Sequence, residues 1–299
     1  MDQPRSIVAS LRAFWTHGLR IERVGYIVGA SLLVSGVIHL AILIVGGGSW
    51  QGPLSLRKPA TFGLSFGLTL ITIVWVTTFL RLDERPRRVL LGAFTAACAV
   101  ETALVTLQAW RGVPSHFNIE TTFDGWVARM LAAGGMALVA IIIVFTIASF
   151  RVNPEVPISL RIAIRTGFVA LVGSVIVGAL MIAKGMTLVF AGDAPAAYAT
   201  GGTLKPTHAV TMHAILVLPM LAWVLSFANV SERRRLFLVL VGAVGYVVIA
   251  GTVAATNILG FEMSQVPVTM ALFGLGALSL LAAGLFALTA AVRSTARTH

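Results

Sequence analysis

Eight long apolar stretches, separated by short polar joints, fill almost all of this 299-residue sequence. Each stretch is long enough to cross a bilayer, which takes about 20 apolar residues in helical form. In hydrocarbon every polar side chain needs a partner or a cavity. The few ionisable residues near the apolar runs are therefore where chemistry is to be sought. Spans are expected near 25–46, 60–80, 89–110, 127–149, 163–183, 207–227, 236–257 and 267–291. The longest joint, about 184–206, is too short for a core of its own. The expected fold is an all-α polytopic membrane bundle of eight transmembrane helices.

The composition agrees, with 58% hydrophobic and 11% charged residues against roughly 25% charged in soluble domains. The net charge of +11 would suit a nucleic-acid binder, but its distribution argues against one. Arg5, Arg12, Arg20 and Arg23 precede the first span. Arg81, Arg85, Arg87 and Arg88 follow the second, and Arg151, Arg161 and Arg165 flank the joint after the fourth. Arg233, Arg234 and Arg235 follow the sixth, and Arg293 and Arg297 the eighth. These 16 of 22 cations share one side. The positive-inside rule makes that side cytoplasmic, with both termini inside and a bacterial plasma membrane as the expected location. Lipid headgroups, not nucleic acid, are the expected partners of the basic surface.

Residues 1–24 intersperse Arg with Ile7, Val8, Leu11, Phe14 and Trp15, the pattern of an amphipathic helix on the membrane surface rather than a cleaved leader. The single cysteine, Cys98, lies within the third span, so no disulfide forms within the chain. It reads as a small packing residue.

The joints repeat. Leu56-Arg57-Lys58-Pro59 opens the second span, and Leu204-Lys205-Pro206 opens the sixth. Trp75 and Phe79 are matched by Trp223 and Phe227, and the Glu-Arg run at 83–88 by the one at 231–235. The offset stays at 147 or 148 residues. This predicts two parallel four-helix repeats, residues 25–150 and 151–299, related by an axis along the membrane normal.

Six cations fall on the expected outer side: Arg57, Lys58, Arg111, Arg129, Lys184 and Lys205. Singly, each reads as a snorkelling helix anchor beside Trp50, Trp110 or Trp126. Together they can form an anion-binding mouth. His39 and His213 lie at matching depth, some 10 Å below the outer interface at 1.5 Å per residue. His208 sits in the first turn of the sixth span, and His116 in the joint Arg111–Asn118. His17 and His299 fall on the other side. Neutral imidazole is a good metal ligand, and haem needs axial ligands from facing helices. His39, His116, His208 and His213 are thus the candidate metal ligands, with His39 and His213 as an axial pair for haem b. Arg57, Lys58, Arg111 and Lys205 would then hold the propionates. The opposing reading makes each histidine an interhelical hydrogen-bond link.

Glu101 lies near mid-depth in the third span, and Gln108 follows seven residues later on the same face. A carboxyl there is either a proton relay, the one candidate catalytic residue, or a group bonded to a neighbouring Thr or carbonyl. Pro219 kinks the sixth span just inward of His213.

In outline (eight spans, two four-helix halves, both termini on the basic side, histidines toward the other) the chain resembles the heme A synthases. The family's acid-and-histidine helix motif and its paired histidines are not found: at the 147-residue offset His208 is matched by Thr61 and His213 by Phe66. No residue role carries over. Three functions follow from the residues: a haem- or metal-binding redox protein with a redox partner, a transporter or channel for a small anionic solute, or a non-catalytic subunit that binds lipid or a partner protein.

Overall fold

The computed structural model describes residues 6–50, 52, 54–199 and 204–296; Arg5, Arg297 and His299 lie outside them. Ten α-helices follow in order: α1 Ile7–Thr16, α2 Arg20–Val45, α3 Arg57–Thr77, α4 Glu84–Trp110, α5 Thr122–Ser149, α6 Ile158–Phe190, α7 Ala194–Ala199, α8 Lys205–Ser226, α9 Glu232–Leu259 and α10 Pro267–Ala296. A single 3-10 turn, Met263–Gln265, precedes α10, and no strand occurs among the described residues. Eight of these helices are long and apolar enough to cross a membrane, so the chain is a multi-pass membrane helix bundle.

The spans lie where the apolar runs place them, and their ends follow from local capping. The fifth-helix start moves from the expected 127 back to Thr122, because the Thr121 hydroxyl accepts the Asp124 N–H at 3.1 Å and Asp124 favours the first turn. α6 runs on past 183 to Phe190, which puts Lys184 inside a helix instead of a joint. The residues after Lys184 stay apolar, and one exposed lysine does not break a helix.

The neighbour order of the first four spans recurs in the last four. α2 packs most extensively on α3, as α6 does on α8; α3 meets α4 as α8 meets α9; α4 meets α5 as α9 meets α10; α2 reaches α4 as α6 reaches α9. α8 also touches α10, and the halves join through α5–α6 and α3–α8. Along the α3–α8 seam, residues that correspond by the sequence offset touch each other: the Trp75 and Trp223 rings stand edge to face with centroids 5.8 Å apart. Corresponding residues in mutual contact are what a two-fold relation produces at its axis.

Glycine sets the closest approach within the first half. An atom at the Cβ position of Gly63 would lie 2.7 Å from the Gly36 Cα, and one on Gly67 would lie 2.6 Å from the Gly29 carbonyl oxygen. Small residues at such crossings let helix backbones pack where lipid supplies no hydrophobic drive. In the second half Gly167 lies against Ala214 and Ile215 in the same manner.

α1 caps the arginine-rich end. The Ser6 hydroxyl accepts the Ala9 N–H at 3.2 Å and starts the helix. One face carries Ile7 and Phe14 onto the core; the other leaves Val8, Leu11 and Trp15 at 60%, 55% and 46% exposure. Residues 8, 11 and 15 share one helical face, so the face of α1 turned away from the core is apolar as well.

Candidate functional site

At the end of the bundle opposite α1, helices α3 and α8 both begin with a cation and a proline. The Ser55 hydroxyl accepts the Arg57 N–H at 3.1 Å, and Pro59 and Pro206 occupy first-turn positions that need no N–H donor. Arg57, Lys58 and Lys205 are thereby brought within electrostatic reach of one another. A helix N-terminus already carries positive partial charge and favours anions there. Three cations at two such ends oppose both dipoles and each other. None of the three forms an ion pair among the described residues. Arg57 stacks over Trp50 at 5.9 Å, and its buried Nε has no acceptor.

The joint between α4 and α5 folds over this cluster. Phe117 adopts the left-handed conformation, φ 65°, and its ring lies against Gly185 of α6. Asn118 is fully buried; its carbonyl oxygen accepts the Glu120 N–H at 3.1 Å while its Nδ2 finds no acceptor. His116 lies beside the Phe62 ring at 5.8 Å, with Ser115 Oγ 3.0 Å from its Nδ1. Burial, helped by the Lys58 charge, pulls its pKa down to about 3. His116 is therefore neutral at physiological pH and adds no charge to the cluster.

Arg111 is not part of it. It donates to Asp124 Oδ1 at 2.5 Å and to the Gln108 carbonyl oxygen. Gln108 Nε2 donates to the same Asp124 oxygen at 2.8 Å, and the Thr121 hydroxyl to Oδ2 at 2.7 Å. Asp124 thus neutralises Arg111. Arg129 bonds the Gly125 carbonyl at 3.0 Å, and Lys184 lies exposed on α6.

The histidines do not converge. His39 Nδ1 donates to the Ser35 carbonyl at 2.7 Å, and its Nε2 accepts the Trp110 indole N–H at 2.9 Å. Both ring nitrogens are engaged, so no lone pair remains for iron. His208 Nδ1 donates to the Ser174 carbonyl at 2.8 Å while the Ser174 hydroxyl donates back to the His208 carbonyl at 2.8 Å, tying α8 to α6. His213 turns back on its own helix, Nδ1 to the Ala209 carbonyl at 2.6 Å. The expected axial pair is not assembled: His39 closes on α4, and His213 stays on α8. The residues present do not fit a bis-histidine haem. Among the described residues no three His, Cys, Asp or Glu side chains gather as a metal-binding group.

Glu101 is 4% exposed, and its Oε1 has no hydrogen-bond partner. It fills a notch on α5 made by Gly134. Gln108 lies on the same face and is drawn into the Asp124 cluster instead.

One feature the sequence reading missed is a cavity of about 600 Å³ at the arginine-rich end of the α3–α8 seam. Corresponding residues line it in pairs: Thr78 with Ser226, Phe79 with Phe227, Arg87 with Arg235. Phe14 of α1 sits at its floor, 6.5 Å from Trp75, 5.9 Å from Phe79 and 6.5 Å from Trp223. The signal was present in the repeat run; what was absent was any sign that the two copies face each other. Glu22 neutralises Arg87 at 2.5 Å, and Arg235 donates to the Ser226 and Ala228 carbonyls at 3.3 and 2.9 Å. Each cavity arginine thus has a carboxylate or carbonyl partner, although the Nε of each lacks an acceptor, whereas the cations at the other end of the seam form no ion pair among the described residues.

Comparisons with protein-family models, with curated proteins and with solved structures find no match for this chain. Its function rests on the site geometry alone.

Proposed function

We propose that this chain is a membrane carrier for a small anionic solute, with its path along the α3–α8 seam. The observation that carries this reading is the cluster of Arg57, Lys58 and Lys205, cations set against two helix dipoles with no carboxylate paired to them among the described residues. An anion is the partner such a cluster lacks. The seam that begins at these cations ends in the 600 Å³ cavity, a size suited to a small ligand. The Trp75, Trp223 and Phe14 rings close it between the two. The haem reading stands behind this one, because His39 has no free nitrogen.

The test is uptake of labelled small carboxylates and phosphate into liposomes holding the purified protein. Replacing a charge that hydrogen-bonds an anion removes about 1.5–3 kcal/mol, or roughly 10- to 100-fold in affinity. Lys58→Gln combined with Lys205→Gln is expected to raise the half-saturating concentration by at least that single-charge factor, while Lys184→Gln leaves it unchanged. Equal uptake by the double variant and the parent would sink the proposal. A Soret band in the purified protein would restore the haem reading.

The orientation belongs to the same proposal: arginine-rich joints and both termini in the cytoplasm of a bacterium, the cation cluster outside. Cys98 is fully buried and stays silent to a membrane-impermeant thiol reagent. Glu120→Cys, in an exposed part of the α4–α5 joint, is expected to react in intact cells, and Asp83→Cys only after lysis. The reverse pattern would invert the topology.

A further inference from the structure

We infer that Glu101 is a proton-binding site that couples the proposed carrier to proton movement; the coupling, though not the proton site, rests on that carrier reading. The two halves supply an internal control. α4 and α9 align at an offset of 148 residues through Glu84 and Glu232, which pairs Glu101 with Ile249. Ile249 packs over Gly276 of α10, its Cγ1 lying 2.9 Å from where a Cβ on Gly276 would be. At Gly276 the nearest atom is the Gly245 carbonyl oxygen at 2.6 Å, whereas at Gly134 of α5 the nearest is the Glu101 carboxyl itself. At the aligned position the second half therefore sets a purely apolar side chain against its neighbouring helix. The second half packs at this position without a carboxyl, so packing alone does not account for the one at Glu101.

A backbone hydrogen bond from Gly135 of α5 favours the charged form of Glu101, and among the described residues no free cation stands beside it. On its own helix the nearest titratable group is the buried Cys98 thiol, one turn away. Glu84, Arg85, Arg87 and Arg88 lie at the arginine-rich end of α4, and Arg111 beyond its other end is held by Asp124. From α5, Asp124 is committed to Arg111 and Gln108, and Arg129 to the Gly125 carbonyl. From α3, Arg57 and Lys58 stand in the first turn. From α2, Arg20, Glu22, Arg23 and Tyr26 stand in the first two turns, and His39 is locked between Ser35 and Trp110. Glu101 is thus a lone carboxyl with one oxygen unpartnered at mid-depth. Intramembrane ionisable groups of this kind are expensive and are kept for function. A metal cation would need several oxygen ligands, and Glu101 has none beside it; a proton needs only the one carboxylate. In the cycle the carboxylate takes up one proton as a solute anion binds, which cancels the added negative charge. It gives the proton up when the anion leaves at the other face.

Two measurements on the full-length protein in liposomes test this. The first is labelling with a hydrophobic carbodiimide, which adds to a protonated carboxyl in an apolar setting, read by mass spectrometry. Glu101 is expected to be modified, more so at lower pH, and Glu101→Gln to abolish the adduct. No adduct at Glu101 from mildly acidic to mildly alkaline buffer would overturn the proton site. The second is uptake with and without an inward proton gradient. Glu101→Gln, and Glu101→Ile with the residue of the second copy, are expected to assemble normally and lose the gradient-driven component. Glu101→Asp should retain part of it. If the adduct forms but uptake ignores the gradient, the coupling is wrong. If the adduct forms and no anion enters even the parent protein, the carrier reading fails and the proton site stands.

Discussion

Replacing Glu22 by Gln is expected to destabilise the bundle by about 3–5 kcal/mol, the usual loss when one partner of a buried ion pair is removed. Glu22 and Arg87 are 2.5 Å apart with side-chain exposures of 3% and 16%, so solvent does little to screen them. Glu22 Oε2 also accepts the Leu19 N–H at 3.0 Å and so fixes the turn between α1 and α2. Arg87 Nε has no acceptor, which leaves the guanidinium dependent on the Glu22 charge. Unfolding in mixed micelles, followed by tryptophan fluorescence, gives the measurement. The double variant Glu22→Gln, Arg87→Gln should recover most of the loss, because no charge is then stranded. Glu84→Gln supplies the contrast. Its pair with Arg88 is an exposed i, i+4 contact, 57% and 60% exposed, and should contribute only about 0.3–0.5 kcal/mol. Equal losses from Glu22→Gln and Glu84→Gln would show that the inner pair is solvated. The cavity that Glu22 and Arg87 line would then be open water rather than a shaped site.

The spans were legible because length and hydropathy alone define a crossing helix, and eight such helices are present. The likeness between the two halves was legible in part, through Lys58 and Lys205, Trp75 and Trp223, and Arg87 and Arg235. What one sequence could not supply was azimuth. A soluble helix marks its inward face by its apolar stripe, but here both the lipid face and the packed face are apolar. Depth therefore came from residue counting while direction did not. His39 and His213 match in depth, yet His39 turns to Trp110, 71 residues away in sequence. Arg111 looked like part of an open cationic rim until Asp124, 13 residues on, closed on it. The same blindness hid the cavity. The repeat run pairs Phe79 with Phe227 and the run holding Arg87 with the one holding Arg235, and only the packing of α3 on α8 turns the copies toward each other. Glu101 was found from its depth alone. Its meaning sharpens beside Ile249, the aligned residue of α9, which sets an apolar side chain against α10.

Gly63→Leu is expected to be more damaging than most single changes in this chain, costing about 3 kcal/mol or more, at or beyond the upper end for overpacking. The reason lies in what a side chain would meet. At Gly63 a Cβ would lie 2.7 Å from the Cα and the nitrogen of Gly36 and 2.7 Å from the Leu32 carbonyl oxygen, all of them backbone atoms. A flexible side chain could step aside by changing rotamer, but a helix backbone moves only by shifting the whole of α2 away from α3. That shift would also pull Gly29 from Gly67, and it would carry Glu22 and His39 away from their partners on α4. Loss of monodisperse protein after extraction, with a lower midpoint in micelle unfolding, is the expected reading. Gly284→Ala tests whether glycine content in itself matters. Nothing lies within 4 Å of a Cβ there, and alanine relieves the conformational freedom of glycine, so stability should stay level or rise by up to about 1 kcal/mol. If Gly63→Leu were tolerated as well as Gly284→Ala, α2 and α3 would not cross at their glycines. The first-turn cations of α3 would then have no fixed place beside Lys205, and the anion cluster would lose its geometric basis.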